Sequence, residues 1–172
     1  MHTQEYSSAK TSINSTKIPA VFKKVSWIRG TINLDYGGGK YDTATVYLKT
    51  QGVANHIYDP FNRTHDENMR ALTRGPFDTV TCSNVLNVIF SVEDRVLALK
   101  VIRGMVKIGG KAYITVYEGD KSGETKVNEK KDSCQLNRRL KEYLSEVKMA
   151  FVGEKDTITM KNGVITAIRG GE

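Results

Sequence analysis

Asp35, Gly37, Gly38, Gly39 and Asp59 are the residues whose types and spacing could do chemistry in this chain. Thr31-Ile32-Asn33-Leu34-Asp35 reads as a strand that runs through Tyr36 into three consecutive glycines. Glycine lacks Cβ and adopts positive φ at little cost, so the backbone there can approach a bound molecule closely. Backbone N–H groups in such a bend can bind an anionic end, while Asp35 attracts a cationic one. Asp59 follows a second apolar run, His56-Ile57-Tyr58. It lies about 20 residues on, the separation of a ribose-binding acid in a βαβ unit. A charged acceptor strengthens hydrogen bonds from two vicinal hydroxyls. Two acids and a glycine turn, in this order, point to an adenosine-containing ligand. The plainer alternatives are a simple glycine turn, and an Asp59 that caps the turn at Pro60.

Further candidates follow from position. Tyr41, just after the glycines, packs either on the ligand or on the core. Pro60 sits beside Asp59. Ser83 and Asn84 stand where a strand opens, to orient a ligand or to cap a helix. Tyr117 and Glu118 end a later strand, and Glu118 is either a general base or a plain loop acid. Lys17 closes a polar amino-terminal arm, residues 1–17, which folds over the ligand as a lid or trails as a tail. His2, His56 and His65 show no triad or metal spacing, and Cys82 and Cys134 form no ligand pair. No metal and no covalent nucleophile are expected.

The elements that must position these residues alternate. Ala20 to Val25 reads as a short helix, with Pro19 in its first turn. A helix starting at Asp42 or Thr43 turns Ala44, Tyr47 and Leu48 inward and stops at Gly52. The strand His56 to Asp59, a short helix over Asp66 to Leu72 and the buried strand Phe77 to Cys82 come next. Glu93 to Val106 is an amphipathic helix with Val96, Leu97, Leu99, Val101 and Ile102 inward. Lys111 to Tyr117 is a strand after Gly109-Gly110. Residues 119–132 form a long loop, and long loops are usually functional. Ser133 to Val147 reads as a helix with Leu136, Leu140, Tyr143, Leu144 and Val147 on one side. Met149 to Val152 reads as a strand. Asn162-Gly163 between alternating runs is a two-residue hairpin signal. The expected fold is a single-domain α/β three-layer sandwich. It has a Rossmann-like, mostly parallel sheet and an antiparallel carboxy-terminal hairpin.

The chain has 172 residues, 39% of them hydrophobic and 26% charged, enough for one domain with a proper core. No apolar run of membrane-spanning length occurs, and the amino terminus lacks the pattern of a signal peptide. A cytoplasmic, reduced protein, monomer or homodimer, is expected. The net charge of +7 is compatible with a polyanionic partner, although the basic residues are scattered among acids.

This order resembles the class I S-adenosylmethionine-dependent methyltransferases. Asp35, Gly37 and Gly39 match the family's first motif, with Tyr41 at the third alternating place. Asp59 matches its ribose-binding acid. Phe77 to Leu86 looks like the fourth strand and its loop, and Lys107 to Ile114 the glycine-rich lead into the fifth. The resemblance covers roughly residues 31 to 118. It implies S-adenosylmethionine as cofactor, with Asp35, Gly37, Gly38, Gly39, Tyr41, Asp59, Pro60, Ser83 and Asn84 around it. Asn84, Tyr117, Glu118 and Lys17 would face the acceptor. Only 17 residues separate Asp59 from Phe77, so the third strand is expected to be missing or shortened. The usual adenine contact goes with it, and Phe61 could cover the adenine instead. The Asn/Asp-Pro-Pro-Tyr/Phe motif of amino-methylating nucleic-acid enzymes is absent. The chain is similar to minimal members found beside bacterial and phage DNA-modification functions. Basic charge favours a nucleic-acid acceptor over a small molecule. The alternative is a non-catalytic methyltransferase-like module that binds nucleic acid or a protein. A dinucleotide oxidoreductase would need a third glycine where Asp42 stands.

Overall fold

The computed structural model describes residues 5–8, 10 and 16–171. The Pro19 carbonyl accepts the Phe22 N–H and starts the single turn α1 (Val21–Lys24), which buries Val21 and Phe22. There follow β1 (Ile32–Tyr36), α2 (Thr43–Thr50), β2 (Ala54–Tyr58), α3 (His65–Leu72), β3 (Phe77–Ser83), α4 (Val92–Met105) and β4 (Val106–Thr115). The chain ends with β5 (Thr125–Asn128), β6 (Ser133–Leu136), α5 (Leu144–Ala150), β7 (Thr157–Lys161) and β8 (Val164–Ile168).

One sheet has the order β2-β1-β3-β4-β8-β7, and β5 and β6 form a separate antiparallel ribbon. β2, β1, β3 and β4 are parallel, and β8 and β7 are antiparallel additions. The β7–β8 turn carries positive φ at both Asn162 and Gly163, as the Asn-Gly signal requires.

Side-chain alternation along β1 sorts the two faces. Ile32, Leu34 and Tyr36 join Val80, Cys82 and Ile114 in a core that also takes in Ala71 of α3, Leu99 of α4 and Val147 of α5. Phe22, Ala44, Leu48 and Tyr113 pack on the opposite face under α1 and α2. Right-handed crossovers explain the sorting. α2 carries the chain from β1 outward to β2, whereas α3 carries it back past β1 to β3. The direction reverses, so the helices lie on opposite faces. Their divergence leaves a crevice at the carboxyl ends of β1 and β3, where open α/β sheets bind ligands.

Between Asp59 and Phe77 the chain holds only α3, and β2 is the sheet edge. α3 opens with a reciprocal Thr64–Glu67 capping box. The third strand, expected to be missing or shortened, is therefore missing.

Four local expectations need correction. Residues 119–132 are not wholly loop, because β5 lies within them. Ser133 to Leu136 is strand, paired antiparallel with Asn128 to Thr125. Helix-like spacing of Leu136, Leu140 and Leu144 runs on across this strand, but hairpin pairing with the preceding β5 decides it. α5 then extends to Ala150 and Phe151 caps it, so Met149 to Val152 is not a strand. In α4, Leu97 and Val101 are 42% and 38% exposed, while Arg95 is buried.

Candidate active-site cleft

The glycine turn is built by three different constraints. The Gly37 N–H donates to the Tyr58 carbonyl at 2.7 Å, which extends the β1–β2 ladder by one bond. Gly37 and Gly39 have φ of +75° and +76°. A Cβ on Gly37 would collide with Val85 Cγ2, and one on Gly38 would sit 2.5 Å from Asp35 Oδ2. The bend thus lies directly on the first acid.

Asp35 is buried. It sits on a polar stripe beneath α2, where Asn33 Nδ2 donates to Asn55 Oδ1 and Thr81 Oγ1, and Thr79 donates to Asn33 Oδ1. Thr81 Oγ1 donates to Asp35 Oδ1 at 3.0 Å. Oδ2 has no hydrogen-bond donor among the described residues. Burial raises the carboxyl to about 7; the Thr81 hydrogen bond opposes this, neighbouring Asp59 adds to it, and Arg63 opposes it.

Asp35 pairs in register with Ile57, two residues before Asp59. Side chains alternate with period two, so both acids project from the same face at the same end of their strands. Asp59 is also buried, but its carboxylate is occupied. Oδ2 accepts the Gly39 N–H at 2.9 Å. Oδ1 accepts the N–H groups of Phe61 and Asn62 at 3.0 Å and Asn62 Nδ2 at 3.1 Å. Asn68 of α3 brackets its backbone, with Oδ1 accepting the Asp59 N–H and Nδ2 donating to its carbonyl. Capping of the turn at Pro60, the plainer alternative, is thus present. Pro60 itself is exposed.

A cleft of about 720 Å³ opens at the crevice. Asp35, Gly37, Gly38, Ser83 and Asn84 form its floor, and Lys17 and Tyr117 line it. Asn84 takes a left-handed φ of 57° and donates its N–H to the Thr115 carbonyl at 3.0 Å. The Ser83 Oγ accepts from Thr115 Oγ1. Neither caps a helix: the 3₁₀ turn Leu86–Val88 begins after Val85 with no side-chain cap. The β5–β6 ribbon supplies the opposite wall. Gln135 of β6 ties it down, accepting from Asn87 Nδ2 at 3.0 Å and donating to the Tyr117 carbonyl at 3.0 Å. Cys134 Sγ contacts the Val88 carbonyl oxygen at 3.1 Å, and burial, aided by Glu5, pushes its thiol up to about 11.

Gly39, Tyr41, Asp59, Pro60 and Glu118 do not line the cleft. Tyr41 is 37% exposed, with the Lys40 ammonium 5.2 Å from its ring centroid. Glu118 Oε1 accepts the Leu140 N–H at 2.8 Å, and Lys121 pairs with Oε2 at 3.4 Å. The Leu140 hydrogen bond, above all, holds its carboxyl below the usual range. Of the amino-terminal arm, residues 1–4, 9 and 11–15 lie outside the described residues. Its described part docks on the ribbon, where the Ser8 N–H donates to the Asp132 carbonyl, and on the segment before α4, where Tyr6 meets Phe90 edge-on.

Three contributors had no sequence signal. Thr81 grips Asp35, and Asn68 brackets Asp59. Arg63 bonds the carbonyls of Gly39 and Tyr41 through Nε and Nη2, and Nη2 also pairs with Asp42. The ribbon's side chains at the cleft were concealed in the stretch read as loop and helix. Among the described residues no helix is long and apolar enough to cross a membrane. No three His, Cys, Asp or Glu side chains among them are grouped to hold a metal.

The chain has the fold of the class I S-adenosylmethionine-dependent methyltransferases. It superposes on the 1,6-didemethyltoxoflavin-N1-methyltransferase of Burkholderia thailandensis, solved with 1,6-didemethyltoxoflavin and S-adenosylhomocysteine bound. The TM-score is 0.60 at 18% identity, over 83% of this chain and 72% of that one. A methyltransferase of Methanosarcina mazei gives 0.61 at 12% identity, over 91% of this chain and 99% of that one. Phosphoethanolamine N-methyltransferase 2 of Haemonchus contortus, in complex with S-adenosyl-L-methionine, gives 0.53 at 18% identity; the match takes in 81% of this chain but 37% of that one. No protein-family model matches the chain, and no curated protein matches it significantly.

Proposed function

We propose that the chain binds S-adenosylmethionine at the glycine turn and transfers its methyl group to an acceptor that enters beneath the β5–β6 ribbon. One observation carries the reading. A side-chain-free bend, Gly37 to Gly39, lies over a buried carboxylate, Asp35, whose Oδ2 has no hydrogen-bond donor among the described residues. The cofactor's ammonium fits Asp35, because a neighbouring cation favours the charged form of a carboxyl that burial holds near neutral. The N–H groups of the bend fit its carboxylate end. Asp59 does not line the cleft, but displacement of Asn62 Nδ2, the one of its four donors that is a side chain rather than backbone, opens it to a ribose hydroxyl.

Bound there, the cofactor supplies a methyl carbon made electrophilic by its sulfonium, so the protein contributes chiefly alignment and a dry cleft. Ser83 and Asn84 stand between the cofactor end and the acceptor end. Tyr117 and Lys17 face the acceptor. Glu118 has no part in this proposal, since its carboxylate already serves Leu140 and Lys121. The molecules in the neighbours' names, 1,6-didemethyltoxoflavin and phosphoethanolamine, are chemically unlike, so the fold does not name this acceptor.

Titration calorimetry with S-adenosylmethionine tests the reading, with Asp35→Ala as comparison. Heat from the wild type and its loss in the variant are expected; absence of heat and of thermal stabilisation in the wild type overturns the proposal. A labelled-methyl assay across DNA, RNA, protein and small-molecule pools then tests transfer. Cofactor binding with no transfer to any pool favours a non-catalytic module, a reading supported by the missing third strand.

A further inference from the structure

The walls of the cleft are sorted by charge. Four lysines line it, Lys10, Lys17, Lys126 and Lys131, against a single acid, Asp35, on the floor. Composition does not account for this. Between Gly119 and Asp132 the chain carries four lysines and four acids, yet Lys126 and Lys131 face the cleft and none of those acids does. Two of those acids have partners of their own. Asp120 pairs with Lys126 at 2.7 Å, leaving that ammonium further donors, and Asp132 accepts the Ser7 N–H at 3.2 Å. The ribbon is also held in place rather than loosely attached, through Gln135 and Asn87.

From this sorting we infer that the β5–β6 ribbon is the acceptor-recognition element, and that it takes a phosphate-bearing acceptor through Lys126 and Lys131. The inference rests on the methyl-transfer reading above and specifies its acceptor. Ammonium groups act as point charges on phosphate and need no fixed fork geometry. They suit an exposed ribbon on which lysine side chains reach inward from a strand and from the 3₁₀ turn Glu129–Lys131. A net charge of +7 adds attraction at longer range. Such binding is salt-dependent, because phosphate contacts release counterions.

The test uses the whole chain saturated with S-adenosylhomocysteine. A labelled single-stranded oligonucleotide of about 12 nucleotides is the probe, with AMP and inorganic phosphate as competitors. Binding that weakens as salt rises is expected. The Lys126→Ala/Lys131→Ala variant should bind at least about tenfold more weakly. A Lys130→Ala/Lys148→Ala variant, which removes two exposed lysines outside the cleft, should bind like wild type. Both variants should keep the wild-type affinity for S-adenosylhomocysteine. Competition by AMP identifies a nucleotide-sized acceptor, and its failure a strand; either supports the inference. No binding of any of the three probes overturns it, as does equal weakening in the two variants. If S-adenosylhomocysteine fails to bind while the lysine dependence persists, the cofactor reading fails and the phosphate site stands.

Discussion

Asp59 Oδ2 accepts the Gly39 N–H at 2.9 Å across twenty residues of sequence, so the second acid holds the shape of the first turn. Removing it frees more than one contact. Asp59→Ala leaves the buried or half-buried N–H groups of Gly39, Phe61 and Asn62 without their acceptor. The expected loss of stability is about 2–4 kcal/mol, read from denaturant unfolding. Cofactor heat should disappear with it, because the glycine turn loses its brace.

Asn62 offers the opposite outcome. Its side chain occupies Asp59 Oδ1 at 3.1 Å, and Asn62→Ala removes that donor while leaving both backbone donors in place. Stability should fall by less than about 1 kcal/mol. Cofactor affinity by calorimetry should hold or rise; a tenfold drop would mean that the ribose does not use this position.

Asp35 makes stability and binding respond oppositely to pH. Its carboxyl is raised from 3.8 to about 7 by burial. Between these values the folded chain holds a proton that the unfolded chain has released, so stability falls as pH rises through this window and levels off above it. The slope is at most about 1.4 kcal/mol per pH unit. Cofactor affinity should instead rise toward pH 7 and above, as the carboxylate facing the ammonium forms. Asp35→Asn should flatten this contribution in urea midpoints measured from pH 4 to 8. An unchanged slope would show that Asp35 does not titrate there.

Gly37 is constrained twice, by φ of +75° and by Val85. Gly37→Ala should cost about 2 kcal/mol or more. In a Val85→Ala background the steric part is relieved and the dihedral part remains, so the cost should fall without vanishing. A four-variant thermodynamic cycle reads both.

Arg95, on the other face, is the largest fully buried side chain among the described residues. Glu146 Oε1 accepts from its Nε and Nη2 at 2.9 and 2.6 Å, and from Arg138 Nη1 at 3.2 Å. Arg95 Nη1 also donates to the Ile89 and Phe90 carbonyls. Glu146→Ala strands a buried guanidinium and should cost about 3–5 kcal/mol. Arg95→Met/Glu146→Leu should recover part of that loss, limited by the two carbonyls left unpaired.

Elements with strong local signals are legible in the sequence. Asn162-Gly163 has the positive φ values its hairpin demands, and the short helix expected over Asp66 to Leu72 forms as α3. Seventeen residues after Asp59 left room for one helix and no strand. The failures share a cause. In α4 a periodic pattern could not tell that Leu97 faces outward while Arg95 turns in, because the partner of Arg95 is Glu146, 51 residues away. Ser133 to Leu136 looked helical by spacing, but it pairs as a hairpin with Thr125 to Asn128, and the bond that ties this hairpin down joins Gln135 to Asn87, 48 residues away.

Backbone chemistry was therefore written in the linear chain: a bend that only glycine can make, an acid on each side of it, and strands long enough to bring them to one edge. Those features depend on φ, hydrogen-bond donors and alternation, which neighbouring residues determine. Which oxygens are engaged, which lysines face the cleft and what walls it in were decided by packing. Three of the four donors on Asp59 come from its own turn, at Phe61 and Asn62, but the fourth, Gly39, and the Thr81 hydroxyl on Asp35 are distant along the chain, and folding alone creates those meetings.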